Sequence, residues 1–274
     1  MSAAYTAVLN VSEDSVLFLS ALLHAERVRR GTRKGTRALG TYNQAVLVLR
    51  WFLDDTRMSA LARDNAIAVS TAYDYRDEGV AVLAARRPSL HGALLAAKAA
   101  GHSHVILDGT LIHTDRISAP GPTAGVDLWW SGKHRHHGGN VQVVSAPDGW
   151  PLWASDVRPG REHDMSAARA DPDLLARIAD WVSDGALALA DLGYEGEPET
   201  FRIPFKKTKG AQLSIDQQSY NAVHGALHCL GERANSLLKT TYKALRCYRG
   251  CPWRIGDIVA AALVLLHHEH GRTR

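Results

Sequence analysis

Apolar and polar positions alternate in two different rhythms along this chain. Over the first hundred residues the rhythm is helical. From Ser15 to Arg30, apolar side chains fall at 16, 17, 19, 22 and 23, close to the 3.6-residue period of an amphipathic helix. Further helices are predicted over 41–55, 58–65, 69–85 and 91–100, with a basic, glycine-broken linker at 27–37. The helices at 58–65 and 69–85 are separated by about four residues, with Ser70 or Thr71 as the N-cap of the second. That spacing is equally that of a helix-turn-helix, whose second helix enters the DNA major groove, and of an ordinary helical bundle. In the first case Ser70, Thr71 and Arg76 would face DNA.

Beyond residue 100 the apolar residues come in short blocks. Strands are predicted at 104–109, with 111–117 as its hairpin partner, at 140–147, at 150–157 after a turn at 147–149, and at 185–196, with a further one at 202–206. Helices are predicted at 164–183 and 217–245, and a packed C-terminal helix contains the apolar run 258–266, which is too short to span a bilayer. Strands first hairpinned, then alternating with helices, indicate an α/β or α+β domain with a mixed sheet. The expected division is a helical domain over 1–100 and a sheet-containing domain over 101–274.

The net charge of +4 conceals a strong asymmetry. Residues 1–100 hold 13 Lys/Arg against 9 Asp/Glu, residues 101–200 hold 7 against 15, and residues 201–274 hold 12 against 4. An acidic centre between basic flanks suits a cation site beside a polyanion-binding surface. The three cysteines, Cys229, Cys247 and Cys251, suggest neither a disulfide framework nor a zinc ribbon, and no secretory signal opens the chain, so a cytoplasmic protein with no membrane partner is expected.

Two blocks share a form: "VILDGT" (105–110) and "ALADLGYEG" (188–196) each run an apolar strand into an aspartate, with a glycine within two residues. Either aspartate alone reads as a turn. Side by side, Asp108 and Asp191 would repel and require a proton or a cation, and magnesium accepts such hard oxygen ligands. On the helix at 217–245, Val223, Leu227, Leu230, Ala234, Leu237 and Leu238 form an apolar stripe. Glu232 lies opposite, with His228, Asn235, Ser236 and Lys239. Asp164 reads as an N-cap or first-turn acid, or as an accessory ligand. His134, His136 and His137 read as a solvated or phosphate-facing turn rather than a zinc site. Trp129 and Trp130 suit stacking on an unpaired base or covering a sheet edge.

Together, "ILDGT", "LADLGYEG" and "ERANSLLK" (232–239), with "WWSGKHRHHGGNVQVV" (129–144) and "PDGWPLWASDVRPGREHDM" (147–165), resemble the DDE-superfamily transposases of the insertion-sequence-five and Harbinger-like branch. The likeness covers roughly 104–268. It implies a ribonuclease-H-like catalytic domain after a helix-turn-helix-like domain. It also implies an acidic triad of Asp108, Asp191 and Glu232 holding two Mg2+ or Mn2+ ions, and DNA strand cleavage and transfer. The implied partner is double-stranded DNA, both element ends and target, bound by a homodimer or larger complex that is nucleoid-associated when on DNA. Lys133, Lys206, Lys207, Lys239 and Lys243 would meet phosphates. Two alternatives remain open: a catalytically inactive transposase-derived DNA-binding protein, and a metal-dependent endonuclease without strand transfer.

Overall fold

A computed structural model describes residues 8–115 and 117–272. Five helices come first: α1 (Glu13–Arg29), α2 (Thr41–Asp54), α3 (Met58–Asp64), α4 (Val69–Ala84) and α5 (Leu90–Ala99). Each lies within a few residues of its predicted span. The caps explain several of the boundaries. Ser12 accepts from the Ser15 N–H at the start of α1, and Ser89 accepts from the Gly92 N–H at the start of α5. Helix α4 begins at Val69 behind Ala68, so neither Ser70 nor Thr71 caps it.

The sheet contains β1 (His104–Thr114), β2 (Trp130–Ser131), β3 (His136–Ser145), β4 (Pro151–Ala154), β5 (Arg158–Pro159), β6 (Leu187–Leu189) and β7 (Cys247–Tyr248). Its central path runs β2-β3-β1-β6, with β4 and β5 also on β3 and β7 on β1. β3 is antiparallel to β1, whereas β6 and β7 are parallel to it, so the sheet is mixed. The predicted hairpin at 104–117 does not form. β1 runs straight through Asp108-Gly109, which stay paired to Val143 and Gln142 of β3. Arg116, in the predicted hairpin partner, lies outside the described residues. The predicted helix at 164–183 is two, α6 (Asp164–Arg169) and α7 (Leu174–Ser183), interrupted around Pro172. The segment predicted as a strand at 202–206 contributes only a single bridge, Arg202 to Leu189.

Two long helices close the chain. α8 (Ile215–Thr241) starts with a reciprocal capping box between Ser214 and Gln217 and lies across β1 and β3. α9 (Ile255–His270) is apolar all round and buried from Ile255 to His267 apart from Asp257. A helix apolar on all sides belongs in a core. α9 packs against α4 and α1 of the helical region and against β4 of the sheet, so one hydrophobic core runs from α1 through α9 into the sheet. No helix among the described residues is long and apolar enough to cross a membrane.

Candidate active site

The carboxylates predicted to act together are brought together by strand register. β6 runs parallel to β1 with Ile106 opposite Leu189. Asp191 stands two residues beyond the end of β6, and its charge acts on Asp108. Asp191 leaves the strand at once: its Oδ1 accepts from the Gly193 N–H at 2.8 Å and caps the single helical turn Leu192–Tyr194. The turn reading therefore holds for Asp191, whereas Asp108 stays within its strand.

Helix α8 covers the pair closely. A Cβ on Gly231 would lie 2.7 Å from Ile106 Cγ2 and 3.5 Å from the Asp108 Cβ, so glycine lets the helix touch β1 at this point. Glu232 follows and is exposed, within electrostatic reach of Asp108. One turn on, the Asn235 amide donates to Asp108 Oδ2 at 2.9 Å, and its own Oδ1 is buried without a partner. The amphipathic reading of α8 is corrected. The face turned to the sheet carries His224, His228, Gly231, Ala234, Asn235 and Leu238, while Val223, assigned to the apolar stripe, is 62% exposed. The helix turns a largely polar face inward because a carboxylate of β1 lies beneath it. Burying that carboxylate without hydrogen-bond partners would be costly.

A fourth acid completes the group. Asp164 is the first residue of α6, as a first-turn acid should be, but its carboxylate caps nothing. Oδ1 accepts from Asn140 Nδ2 at 2.9 Å, and Lys133 Nζ stands 3.0 Å from Oδ2. Asn140 Oδ1 in turn accepts from Gln142 Nε2 at 2.9 Å, and the buried Tyr194 hydroxyl donates to Gln142 Oε1. This chain of side chains went unread in the sequence. Its signal is visible in "NVQVV", where Asn140 and Gln142 occupy one face of an otherwise apolar strand. The glycine behind each aspartate is explained by Asp164. A Cβ on Gly109 would collide with Asp164 Oδ1. On Gly193 it would lie 2.8 Å from Asp191 Oδ1 and 3.2 Å from Asp164 Oδ2.

Four like charges in a partly buried setting cannot all ionise freely. Burial, then Asp191, then Asp164 and Glu232 push the Asp108 pKa up to about 6, against a downward pull from the Asn235 hydrogen bond. Burial and the same aspartates drive the Tyr194 hydroxyl well above its usual range. Lys133 is desolvated, but Asp164, Asp191 and Asp108 together hold its pKa up. Such a surplus of hard oxygen donors, with the Asn235 carbonyl oxygen unpartnered beside it, fits a divalent cation. Among the described residues, however, no three His, Cys, Asp or Glu side chains converge to hold a metal. Glu232 reaches outward, and Asp164 is engaged by Lys133.

The basic residues expected at DNA occupy varied settings. Ser70 is exposed and Thr71 half-buried on the first turn of α4. Arg76 is buried, paired with Asp77 at 2.6 Å and enclosed by the rings of Trp51, Tyr73 and Tyr248. It fastens α4 in place rather than facing a groove. Lys239 donates to the Leu111 carbonyl at 3.1 Å, and burial lowers its pKa. Lys243 bridges to Asp54 at 3.2 Å and Lys206 to Glu195 at 2.8 Å, while Lys207 is exposed with no ion pair among the described residues. Trp129 is buried edge-on against Trp253, and Trp130 packs on His137.

Residues 107–267 match the family model described as DDE superfamily endonuclease, more than half of the chain and all four acids included. The protein belongs to that family. A structure described as a piggyBac transposase synaptic complex with hairpin DNA, determined by cryo-EM, is similar to this chain. The two chains are 8% identical, with 98% of this chain and 70% of that one covered and a TM-score of 0.36. A pre-cleavage Mos1 transpososome is similar at 10% identity, over 91% of this chain and 85% of that one, with a TM-score of 0.23. No curated protein matches the sequence of this endonuclease-family member.

Proposed function

We propose that this protein is a transposase of the insertion-sequence-five or Harbinger-like kind. In this reading a ribonuclease-H-like catalytic region over 101–274 cuts and rejoins the DNA of a mobile element. The helical region over 1–100 helps to bind it, with α3 and α4 as a helix-turn-helix that presents Ser70 and Thr71. The observation that carries the reading is that Asp108, inside the family-matched segment, is raised to about 6 by burial and by the charges of Asp191, Asp164 and Glu232.

Asp108 on β1 and Asp191 just beyond β6 would hold Mg2+ or Mn2+, with Glu232 closing from α8. Bound divalent ions supply Lewis acidity towards phosphate oxygens and a more acidic water, the chemistry of in-line phosphoryl displacement. Asn235 keeps the Asp108 carboxylate oriented through its 2.9 Å bond. The Tyr194–Gln142–Asn140 chain holds Asp164 through Oδ1, and Lys133 stands at Oδ2. Lys133, on the turn between β2 and β3 and 59% exposed, is free to exchange Asp164 for a phosphate of the DNA. Lys207, exposed in the segment that precedes α8, would add a phosphate contact. No side chain is required as a covalent nucleophile. Two copies of the chain would be needed to hold two element ends.

The test is magnesium-dependent cleavage of a duplex carrying the end of the element that encodes the protein. Wild type is expected to cut, and Asp108→Asn to lose cutting by about two orders of magnitude or more. Equal cleavage by the two proteins would remove the site from this assignment. Supplying pre-cut ends in the same assay separates strand transfer from simple hydrolysis.

A further inference from the structure

Helix α8 is 27 residues long, and its two halves meet the rest of the chain differently. From Gly231 onward it is buried against the sheet through Gly231, Ala234, Asn235 and Leu238. In the first half only one edge is held. The Asn221 side chain accepts from the Phe205 N–H at 2.7 Å and donates to the Phe205 carbonyl at 2.9 Å, and His224 Nε2 stands 2.9 Å from the Arg202 carbonyl. This half is thus fixed in place, yet its opposite face is bare. Ile215 is 81% and Val223 62% exposed, and Ser219, Ala222, Ala226 and Cys229 are exposed as well.

The composition of that face is not that of a solvated one. No Asp, Glu, Lys or Arg occurs from Gln217 to Gly231, although 22% of the chain is charged, so the charged outer face usual for a surface helix is missing. The exposed positions 215, 219, 222, 226, 229 and 233 are spaced alternately four and three apart, the a/d rhythm of a seam between paired helices. All but Arg233 are apolar or small, which lets another helix come close. Opposite charges bound the seam, Asp216 at its start and Arg233 at its end. Both are exposed, and neither forms an ion pair among the described residues.

Those charges decide what covers the face. Turned end to end about His224, the seam matches itself. Ala222 meets Ala226 of the partner subunit, Ser219 meets Cys229 of the partner subunit, and Ile215 meets Arg233 of the partner subunit, whose guanidinium then reaches the adjacent Asp216. Two-fold symmetry repeats each contact, so an ion pair closes either end. A parallel pair would instead set like charges against one another at both ends. We infer that this face of α8 is the contact between two copies of the chain, joined as an antiparallel helix pair, and that the pair forms without DNA. The pairing does not depend on the function proposed above, which asks only that two copies be present. About five turns of each helix make a small interface, so association in the micromolar range is expected.

The experiment is sedimentation equilibrium of the full chain, in chelator and without DNA, over about 1–100 μM. Wild type is expected to pass from monomer to dimer across that range. Val223→Glu and Ala226→Glu alter exposed positions, and an unchanged melting temperature at low concentration confirms that both variants fold. Each should weaken the dimer about tenfold or more, because the seam would then bury a charge. Asp216→Arg and Arg233→Asp, each alone, should weaken it about threefold, and the two together should restore it, since opposite charges face one another again. A wild type that stays monomeric at every concentration overturns the proposal, and the cleavage assay above still reads the function separately. A dimer that Ala226→Glu does not weaken has its contact elsewhere and overturns the proposal too. A double charge variant no stronger than the single ones overturns the antiparallel pairing.

Discussion

Asp108→Asn should stabilise the metal-free protein at alkaline pH, even as it abolishes cleavage. The folded chain holds the Asp108 proton with a pKa of about 6 against 3.8 for the free side chain. The native state therefore binds the proton more tightly than the unfolded state does. Its stability is intact below about pH 4, falls as pH rises through 6, and is fully reduced above that. About two pKa units at 1.36 kcal/mol each make the ionised carboxylate a burden of about 3 kcal/mol, an upper bound because the residue is not fully buried. Asparagine removes the charge and keeps an oxygen for the Asn235 N–H. At about 2–4 °C per kcal/mol for a chain of this size, melting should rise by up to roughly 6–12 °C at pH 8 in chelator. The gain should vanish near pH 4. Magnesium should raise the wild-type melting temperature and leave that of the variant alone. Differential scanning calorimetry at the two pH values reads all of this. A variant that melts below wild type at pH 8, or shifts by the same margin at both pH values, would show that burial and the neighbouring acids do not penalise the Asp108 charge.

Three further outcomes follow from the same geometry. Gly109→Ala drives a methyl into the Asp164 carboxylate and to 3.0 Å from Gln142 Nε2, so urea denaturation should show a loss of about 1–3 kcal/mol. Wild-type stability in that variant would mean that Asp164 does not sit where described. Lys133→Met removes the cation that stands at Asp164, and calcium binding followed by isothermal titration should tighten about fivefold; unchanged or weaker binding counts against competition between lysine and metal. Arg76→Ala empties the space between Trp51, Tyr73 and Tyr248 and should lower stability by about 2 kcal/mol without altering affinity for DNA. A selective loss of DNA binding would restore Arg76 to a groove.

What could be read from the chain alone followed the range of the interactions involved. The helices at 13–29, 41–54 and 69–84 announce themselves because their periodicity is local, and their ends are misjudged by only a few residues. The hairpin at Asp108-Gly109 was misread for the opposite reason. Asp-Gly is common in turns, but this glycine is needed for clearance from Asp164, a residue distant in sequence that no local pattern connects to it. Arg76 looked like a groove contact because three aromatic rings from separate elements, which enclose it, cannot be assembled by eye. The nearness of Asp108 to Asp191 was legible because an apolar run leads into an aspartate in both blocks, although β1 continues through Asp108. The inward face of α8 was legible only in part: Ala234 and Leu238 of the apolar stripe are buried, but His224, His228 and Asn235 share that face and Val223 is exposed.

Gly231 and Glu232 show how a reach can be written into two adjacent positions. The glycine sets how deep α8 sinks onto β1, and the acid beside it inherits that depth. Any side chain in place of the glycine would lift the helix and carry the carboxylate away with it, although the carboxylate itself would be untouched. The third acid is thus located by a missing methyl group. A redesign of this protein that preserved its acids and freely varied the rest would lose its aim at position 231 before it lost any acid.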